Sequence, residues 1–141
     1  MTVKEALGYT EKRLIAVTDE AVNESKILIA HLLYEPVGGL LFSQKEVDAE
    51  RLLECIEKRL QNVPLQYIIG KWWFYKGEFF VGDGVLIPRQ DTETLVEVAN
   101  ELLKGKSDAS VCDLCAGSGC IGISIAEDFP DIKVTCVEKY D

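Results

Sequence analysis

Seven consecutive residues, Asp113-Leu114-Cys115-Ala116-Gly117-Ser118-Gly119, have the make-up of a loop that holds a small ligand against backbone amides. Within and after it, Gly117-Ser118-Gly119-Cys120-Ile121-Gly122 satisfies G-x-G-x-x-G, and Glu138 follows roughly twenty residues on. Glycines at such a place allow a tight strand-to-helix turn, let a ligand approach the main chain, and aim N–H groups at it. Taken alone, the pattern fits a nicotinamide dinucleotide whose ribose hydroxyls would be met by Glu138.

Asp113 changes that reading. It stands immediately before the loop, where a carboxylate repels a pyrophosphate. S-adenosylmethionine carries no phosphate and does carry an α-ammonium and a sulfonium, so a carboxylate there suits it, and Glu138 can accept both of its ribose hydroxyls. Each carboxylate also has a plainer explanation: Asp113 as a cap on the next helix, Glu138 as a solvated strand end. Both together at this spacing around a glycine loop favour a cofactor site.

Other chemistry-bearing residues point less far. Cys112-x-x-Cys115, with Cys120 and Cys136 downstream and Cys55 upstream, lacks the second compact pair that structural zinc requires, so no metal is expected. The odd cysteine count and the absence of a secretory signal argue against a disulfide framework. Cys112 and Cys136 lie in apolar, strand-like runs and read as small hydrophobes. The single histidine, His31, reads as a packed or half-exposed helix residue. Trp72-Trp73-Phe74-Tyr75 and Glu78-Phe79-Phe80-Val81 surround Lys76-Gly77 and read as a β-hairpin turning at Lys76-Gly77. Aromatics beside a lysine can stack on bases, but hairpin packing is the reading adopted.

The elements that must position these residues follow from periodicity. Val3, Leu7, Thr10, Leu14 and Val17 recur at helical spacing. Thr18 and Asp19 offer a cap for a second helix with the stripe Ser25, Leu28, Ile29, Leu32 and Leu33, ended by Pro36, Gly38 and Gly39. A third helix is expected from about Glu46 to Asn62, with Leu52, Leu53, Ile56 and Leu60 on one face. Short connections imply a small antiparallel bundle. Pro64–Gly70 reads as a turn or short helix. After the hairpin, Gly82-Asp83-Gly84 is a turn, and Pro88 ends any strand over Val85-Leu86-Ile87. Asp91 or Thr92 caps a helix to about Leu103, with Leu95, Val98, Ala99 and Leu102 as its apolar face and Gly105 as its stop. Ser110–Leu114 (strand), Ile121–Asp128 (helix) and Ile132–Val137 (strand) then form a βαβ unit of a parallel, doubly wound sheet.

Composition narrows the partners. The net charge of −9 disfavours binding a phosphate backbone, so no direct nucleic-acid partner is expected. No apolar run approaches the roughly 20 residues that cross a bilayer, and Met1-Thr2-Val3-Lys4-Glu5 lacks a signal-peptide layout. The expectation is a cytoplasmic protein with no membrane partner.

Three motifs in order carry a family resemblance: Pro64-Leu65-Gln66-Tyr67-Ile68-Ile69-Gly70 with the aromatic hairpin behind it, Leu86-Ile87-Pro88-Arg89-Gln90-Asp91-Thr92-Glu93, and the loop Asp113–Ile121. Together they resemble the HemK/PrmC family, peptide chain release factor glutamine methyltransferases, over the whole chain. The loop alone is weakly specific, whereas the ordered set is strongly so. Two positions depart from the usual pattern: Cys115 stands where many members have glycine, and Gln90 where they have proline.

The resemblance implies an α/β fold: a helical bundle over residues 1–70 for substrate recognition, a hairpin linker over 71–88, and over 89–141 the start of a class I methyltransferase (Rossmann-like) sheet. It implies S-adenosyl-L-methionine as cofactor, bound by Asp113, Cys115, Ala116, Gly117, Ser118, Gly119 and Glu138, with Arg89 and Glu93 at the mouth of the site or serving as an ordinary helix-start pair. The implied reaction moves a methyl group to the side-chain amide of the glutamine in a release factor's Gly-Gly-Gln loop. An amide nitrogen is a poor nucleophile, so the task is alignment and orientation, done in the family by an Asn-Pro-Pro-Tyr segment. This sequence contains no Asn-Pro-Pro-Tyr; its prolines are Pro36, Pro64, Pro88 and Pro130. The expectation is a fragment, truncated within the sheet, with no catalytic residue of its own, inactive alone and open to self-association along a sheet edge. A dinucleotide-dependent oxidoreductase and a non-catalytic interaction module are the competing readings.

Overall fold

The computed structural model describes residues 1–139. The chain divides into two compact units, Met1–Ile69 and a second that begins at Gly70. The first is helical; the second mixes helices with two small sheets, so the architecture is α/β with an N-terminal helical region.

In the first unit, α1 (Val3–Leu14) starts at a capping box. Thr2 Oγ1 accepts the Glu5 N–H (3.3 Å), and Glu5 Oε2 accepts the Thr2 N–H (2.9 Å). Its buried face is Val3, Ala6, Thr10 and Leu14, and the Thr10 hydroxyl is satisfied by donating to the Ala6 carbonyl at 2.7 Å. The second helix, α2 (Ala21–Leu33), is not capped by Thr18 or Asp19. Its N-cap residue is Glu20, with no side-chain cap bond; Thr18 instead accepts the Glu20 N–H and donates to Glu24, forming a local turn ahead of the helix. Tyr34, in the left-handed region at φ 54°, ends α2 before Pro36 is reached, and Val37–Phe42 form a 3-10 helix.

The third helix, α3 (Ala49–Leu60), is shorter than its periodicity suggests. Asp48 Oδ1 caps it by accepting from Glu50 and Arg51. Glu46 and Val47 stay extended because Val47 N–H donates to the Met1 carbonyl and Glu46 bridges Thr2. Leu52 and Ile56 are buried, while Leu53 is exposed. A short α4 (Leu65–Ile69) closes the unit. Leu14, Leu28, Ile29, Leu52 and Ile56 are fully buried in one cluster. A bidentate Arg59–Glu24 pair (2.7 and 3.1 Å) ties α3 to α2.

In the second unit, β1 (Lys71–Phe74) pairs antiparallel with β2 (Gly77–Phe80), with Phe74 opposite Gly77. The turn is therefore Tyr75-Lys76, one residue earlier than Lys76-Gly77. Tyr75 takes a left-handed conformation (φ 55°) without being glycine. Three tertiary bonds hold it there: its N–H donates to Glu93 Oε1 (3.0 Å), its hydroxyl to Asp128 (3.1 Å), and Asn100 donates to its hydroxyl oxygen (3.2 Å). Hairpin packing accounts for only one face of the aromatics. Phe74 and Phe79 meet edge to face in the core, whereas Trp73 and Phe80 are 60% and 87% exposed.

No strand forms over Val85–Ile87. A 3-10 turn (Gln90–Thr92) leads into α5 (Glu93–Leu103), whose N-cap Thr92 makes no side-chain cap bond. The buried side of α5 is Val96, Ala99 and Leu103, and the expected face residues Leu95, Val98 and Leu102 are exposed. This helix is apolar on more than one side, so its period does not choose the buried face; packing against the hairpin and α6 does.

β3 (Ser110–Leu114), α6 (Cys120–Asp128) and β4 (Lys133–Val137) form a parallel βαβ unit with Asp113 opposite Cys136. Val111 and Val134 pack into the core on the α6 side. Cys112, Leu114 and Val137 are exposed on the other side, so Cys112 is not the buried hydrophobe its apolar run suggests. The cause is coverage: α6 packs on one face of the pair.

Lys76 Nζ and Asn100 Nδ2 also engage Asp128, whose carboxyl lies below its ordinary value chiefly because of the Lys76 ammonium. A carboxyl depressed on folding contributes stability above its unfolded value and loses it as pH falls through the folded one. Acid titration is thus expected to loosen the second unit from pH 3.8 downward. Asp128→Asn is expected to flatten that part of the curve, as followed by near-UV circular dichroism. Equal acid sensitivity in both chains would count against it.

Candidate functional site

The glycine loop is assembled by the ends of β3 and β4 and the start of α6. Beyond Leu114 the chain turns through Cys115, left-handed at φ 60°, and Ala116 N–H extends the ladder by donating to the Val137 carbonyl (3.0 Å). Gly117 (φ 56°) and Gly119 (φ 74°) are also left-handed, and Gly119 N–H closes onto the Ala116 carbonyl at 2.8 Å. Gly119 is the N-cap of α6. Three left-handed residues in five make the turn, which is why two are glycine.

The structure brings together Asp113, Cys115–Gly119 and Glu138. Asp113 Oδ2 accepts the Gly122 N–H at 2.9 Å, supplying a partner to an amide in the first turn of α6 that has none within the helix. Glu138 Oε2 accepts the Gly117 N–H at 2.7 Å, and Oε1 accepts the Lys139 N–H at 2.7 Å. Both carboxylates therefore shape the loop directly, as well as giving it negative charge. Cys115 and Gly117 are exposed, while Ala116 and Ser118 are half-buried.

Gly122 serves packing. A Cβ there would lie 2.5 Å from Cys136 Sγ and 3.1 Å from Asp113 Oδ2. Cys136 thus fills the space that the glycine leaves, a contact the apolar-strand reading overlooked. The signal was available in the strand pairing: Asp113 and Cys136 are register partners on the same side. Cys136 is nevertheless exposed overall, so like Cys112 it is not the buried hydrophobe its apolar run suggests; partial burial on the Gly122 side pushes its thiol up, and Asp113 adds to the shift. Burial likewise raises Cys120.

The remaining candidates sit on other elements. Glu93 accepts the Tyr75 amide of the hairpin turn, and Arg89 is exposed ahead of the 3-10 turn. His31 is half-buried in α2, its ring 6.5 Å from that of Tyr34. Among the described residues, no group of three His, Cys, Asp or Glu side chains is arranged to hold a metal, and no helix is long and apolar enough to cross a membrane. A cleft lined by Tyr75, Lys76, Asn100, Asp128 and Phe129 belongs to the hairpin anchor, away from the loop residues.

Cys115 is the strained member of the loop. A left-handed non-glycine residue costs about 1–2 kcal/mol, offset in part by the greater chain entropy a glycine loses on folding. Cys115→Gly is therefore expected to stabilise the second unit by roughly 0.5–1 kcal/mol in urea unfolding. An unchanged or lower midpoint would contradict this account of the strain.

The family model described as the PrmC N-terminal domain matches residues 5–70. A release factor glutamine methyltransferase of Thermodesulfovibrio yellowstonii is 38% identical over 125 residues, 85% of this chain and 45% of that protein. The same-named protein of Clostridium acetobutylicum is 36% identical over 141 aligned residues, 96% of this chain and 50% of that protein. A bifunctional methyltransferase of Rickettsia typhi is 34% identical, over 94% of this chain and 32% of that protein. The chain spans about half the length of the release factor glutamine methyltransferases it matches most fully. By its N-terminal domain and by identity along most of its length, the chain belongs to the HemK/PrmC family.

Proposed function

We propose that this chain supplies the helical substrate-recognition domain and the cofactor-loop portion of an S-adenosylmethionine-dependent protein-glutamine methyltransferase acting on release factors. The observation that carries the proposal is the pair of carboxylates, Asp113 and Glu138, bonded to Gly122 and Gly117 around the loop. Family membership supports it independently, since the relatives are named for this activity.

The donor set fits the cofactor. When bound, it supplies an activated methyl group on a sulfonium. Asp113 offers negative charge to a cation beside the loop, and Glu138 offers two acceptor oxygens to a vicinal diol. The open backbone at Gly117, with nothing within 4 Å of where a Cβ would stand, leaves room for a ligand against the main chain. On this reading β3, α6 and β4 begin a Rossmann-like sheet, and residues 1–70, 71–88 and 89–141 are the recognition bundle, hairpin linker and cofactor portion of a cytoplasmic enzyme without nucleic-acid or membrane partners. Arg89 is the candidate at the mouth of the site. Exposed Leu114 and Val137 beside the open edges of the β3–β4 pair favour self-association of the isolated polypeptide.

Thermal-shift titration separates this proposal from a dinucleotide enzyme. S-adenosylhomocysteine is expected to raise the unfolding temperature, and NAD to leave it unchanged. Stabilisation by NAD alone would instead support an oxidoreductase. The 141-residue polypeptide holds no Asn-Pro-Pro-Tyr, so it is expected to transfer no methyl group to a release factor. A radiolabelled-methyl assay checks this, and measurable transfer would show that amide alignment does not need that segment.

A further inference from the structure

We propose that Glu138 is a specificity-determining residue that keeps anions off the glycine loop by occupying the Gly117 amide, and that it releases this amide to a ligand offering hydroxyl donors in exchange. The inference deepens the proposal above and rests on the loop being a ligand site.

A strand-to-helix glycine loop ordinarily invites anions, because its amides point outward and the helix start carries partial positive charge. Here that invitation is withdrawn. Gly117 N–H is held at 2.7 Å by Glu138 Oε2, and Gly122 N–H at 2.9 Å by Asp113 Oδ2. An anion approaching Gly117 must displace one carboxylate and then sit near two. A neutral diol meets no such repulsion, since it donates two O–H groups to the carboxylate that gives up the amide.

The exchange is local. Glu138 follows the last residue of β4 and is exposed, so rotation of one side chain uncovers the amide. Gly117 is exposed as well, with open space on its Cβ side. Asp113 differs: it is half-buried against Gly122 and Cys136 and holds the helix start in place. The two carboxylates thus divide the work, Asp113 fixed and Glu138 exchangeable.

The test follows the Gly117 amide resonance of the intact, nitrogen-15-labelled chain during titration with inorganic pyrophosphate. In the parent chain the resonance is expected to stay in place at millimolar pyrophosphate. In Glu138→Ala it is expected to move, with pyrophosphate binding at least about five-fold tighter, as removal of a like charge a few ångströms away in a water-like dielectric allows. Glu138→Gln keeps a carbonyl acceptor without the charge and is expected to fall between the two. Equal movement in the parent and Glu138→Ala, or no movement in a Glu138→Ala chain whose spectrum is that of the folded protein, would overturn the proposal. Should Glu138→Ala fail to fold, Glu138→Gln decides by the same rule: tighter binding than the parent supports it, and parity overturns it. S-adenosylhomocysteine titration of the parent reads the cofactor assignment separately, so failure of that assignment and failure of the anion barrier are distinguishable.

Discussion

Gly122→Ala is expected to cost the second unit about 2 kcal/mol, within the usual range for forcing extra volume into a packed site. The added Cβ would lie 2.5 Å from Cys136 Sγ, closer than real Cβ contacts come, with Asp113 Oδ2 at 3.1 Å. Rotation of the Cys136 side chain relieves only the sulfur contact; the Asp113 side chain still crowds the methyl group, and lifting α6 from β4 to clear it stretches the Asp113 bond to the Gly122 amide. Stability and loop geometry are therefore expected to fail together. Cys136→Ala removes the sulfur, and the double variant is expected to recover at least half of the loss. Asp113 still crowds the new methyl group at 3.1 Å, so recovery is partial. Urea unfolding of the four chains in this cycle measures the coupling. Additive effects of the two substitutions would mean that sulfur and glycine do not share this space.

Asp113 is expected to show two separable roles. Asp113→Ala leaves the Gly122 amide without its acceptor, which costs about 1–3 kcal/mol for a desolvated donor. It also removes the charge proposed to meet the cofactor's ammonium, and the affinity for S-adenosylhomocysteine is expected to drop about ten-fold or more, the worth of one charge-assisted contact. Asp113→Asn separates these roles. Its side-chain carbonyl can still accept the Gly122 N–H, so stability is expected to return toward that of the parent while cofactor affinity stays low. Calorimetric titration beside chemical unfolding makes the comparison. If Asp113→Asn restores affinity as fully as stability, Asp113 is a helix cap and nothing more.

These expectations rest on features that were legible to different degrees in the sequence. The loop was legible because its signals are local. Glycines meet a left-handed requirement at positions 117 and 119, an apolar, strand-like run leads into them over Ser110–Leu114, and Asp113 and Glu138 sit at strand ends one βαβ crossover apart. The first-unit core was legible for a similar reason: Leu28, Ile29, Leu52 and Ile56 recur at helical period on otherwise polar or mixed helices. The Thr2–Glu5 capping box could have been read from Thr2-Val3-Lys4-Glu5 alone.

Other features depended on partners far along the chain. The hairpin turns at Tyr75-Lys76 because Glu93, Asn100 and Asp128 hold Tyr75 there, and a glycine at 77 suggested a different turn. The third helix waits until Ala49 because Val47 is engaged by Met1. The buried face of α5 was chosen by packing against the hairpin and α6, since Leu95, Val98 and Leu102 form as regular a stripe as the residues that were buried.

By itself, then, the sequence determined which residues form the loop, the carboxylates that flank it, and the strand–helix–strand that carries it, because those depend on backbone conformation and on period. Tertiary structure alone decided that Glu138 spends its carboxylate on Gly117, that Asp113 spends its own on Gly122, and that Cys136 fills the space over that glycine. Those are contacts between chain segments many residues apart, and no local preference encodes them.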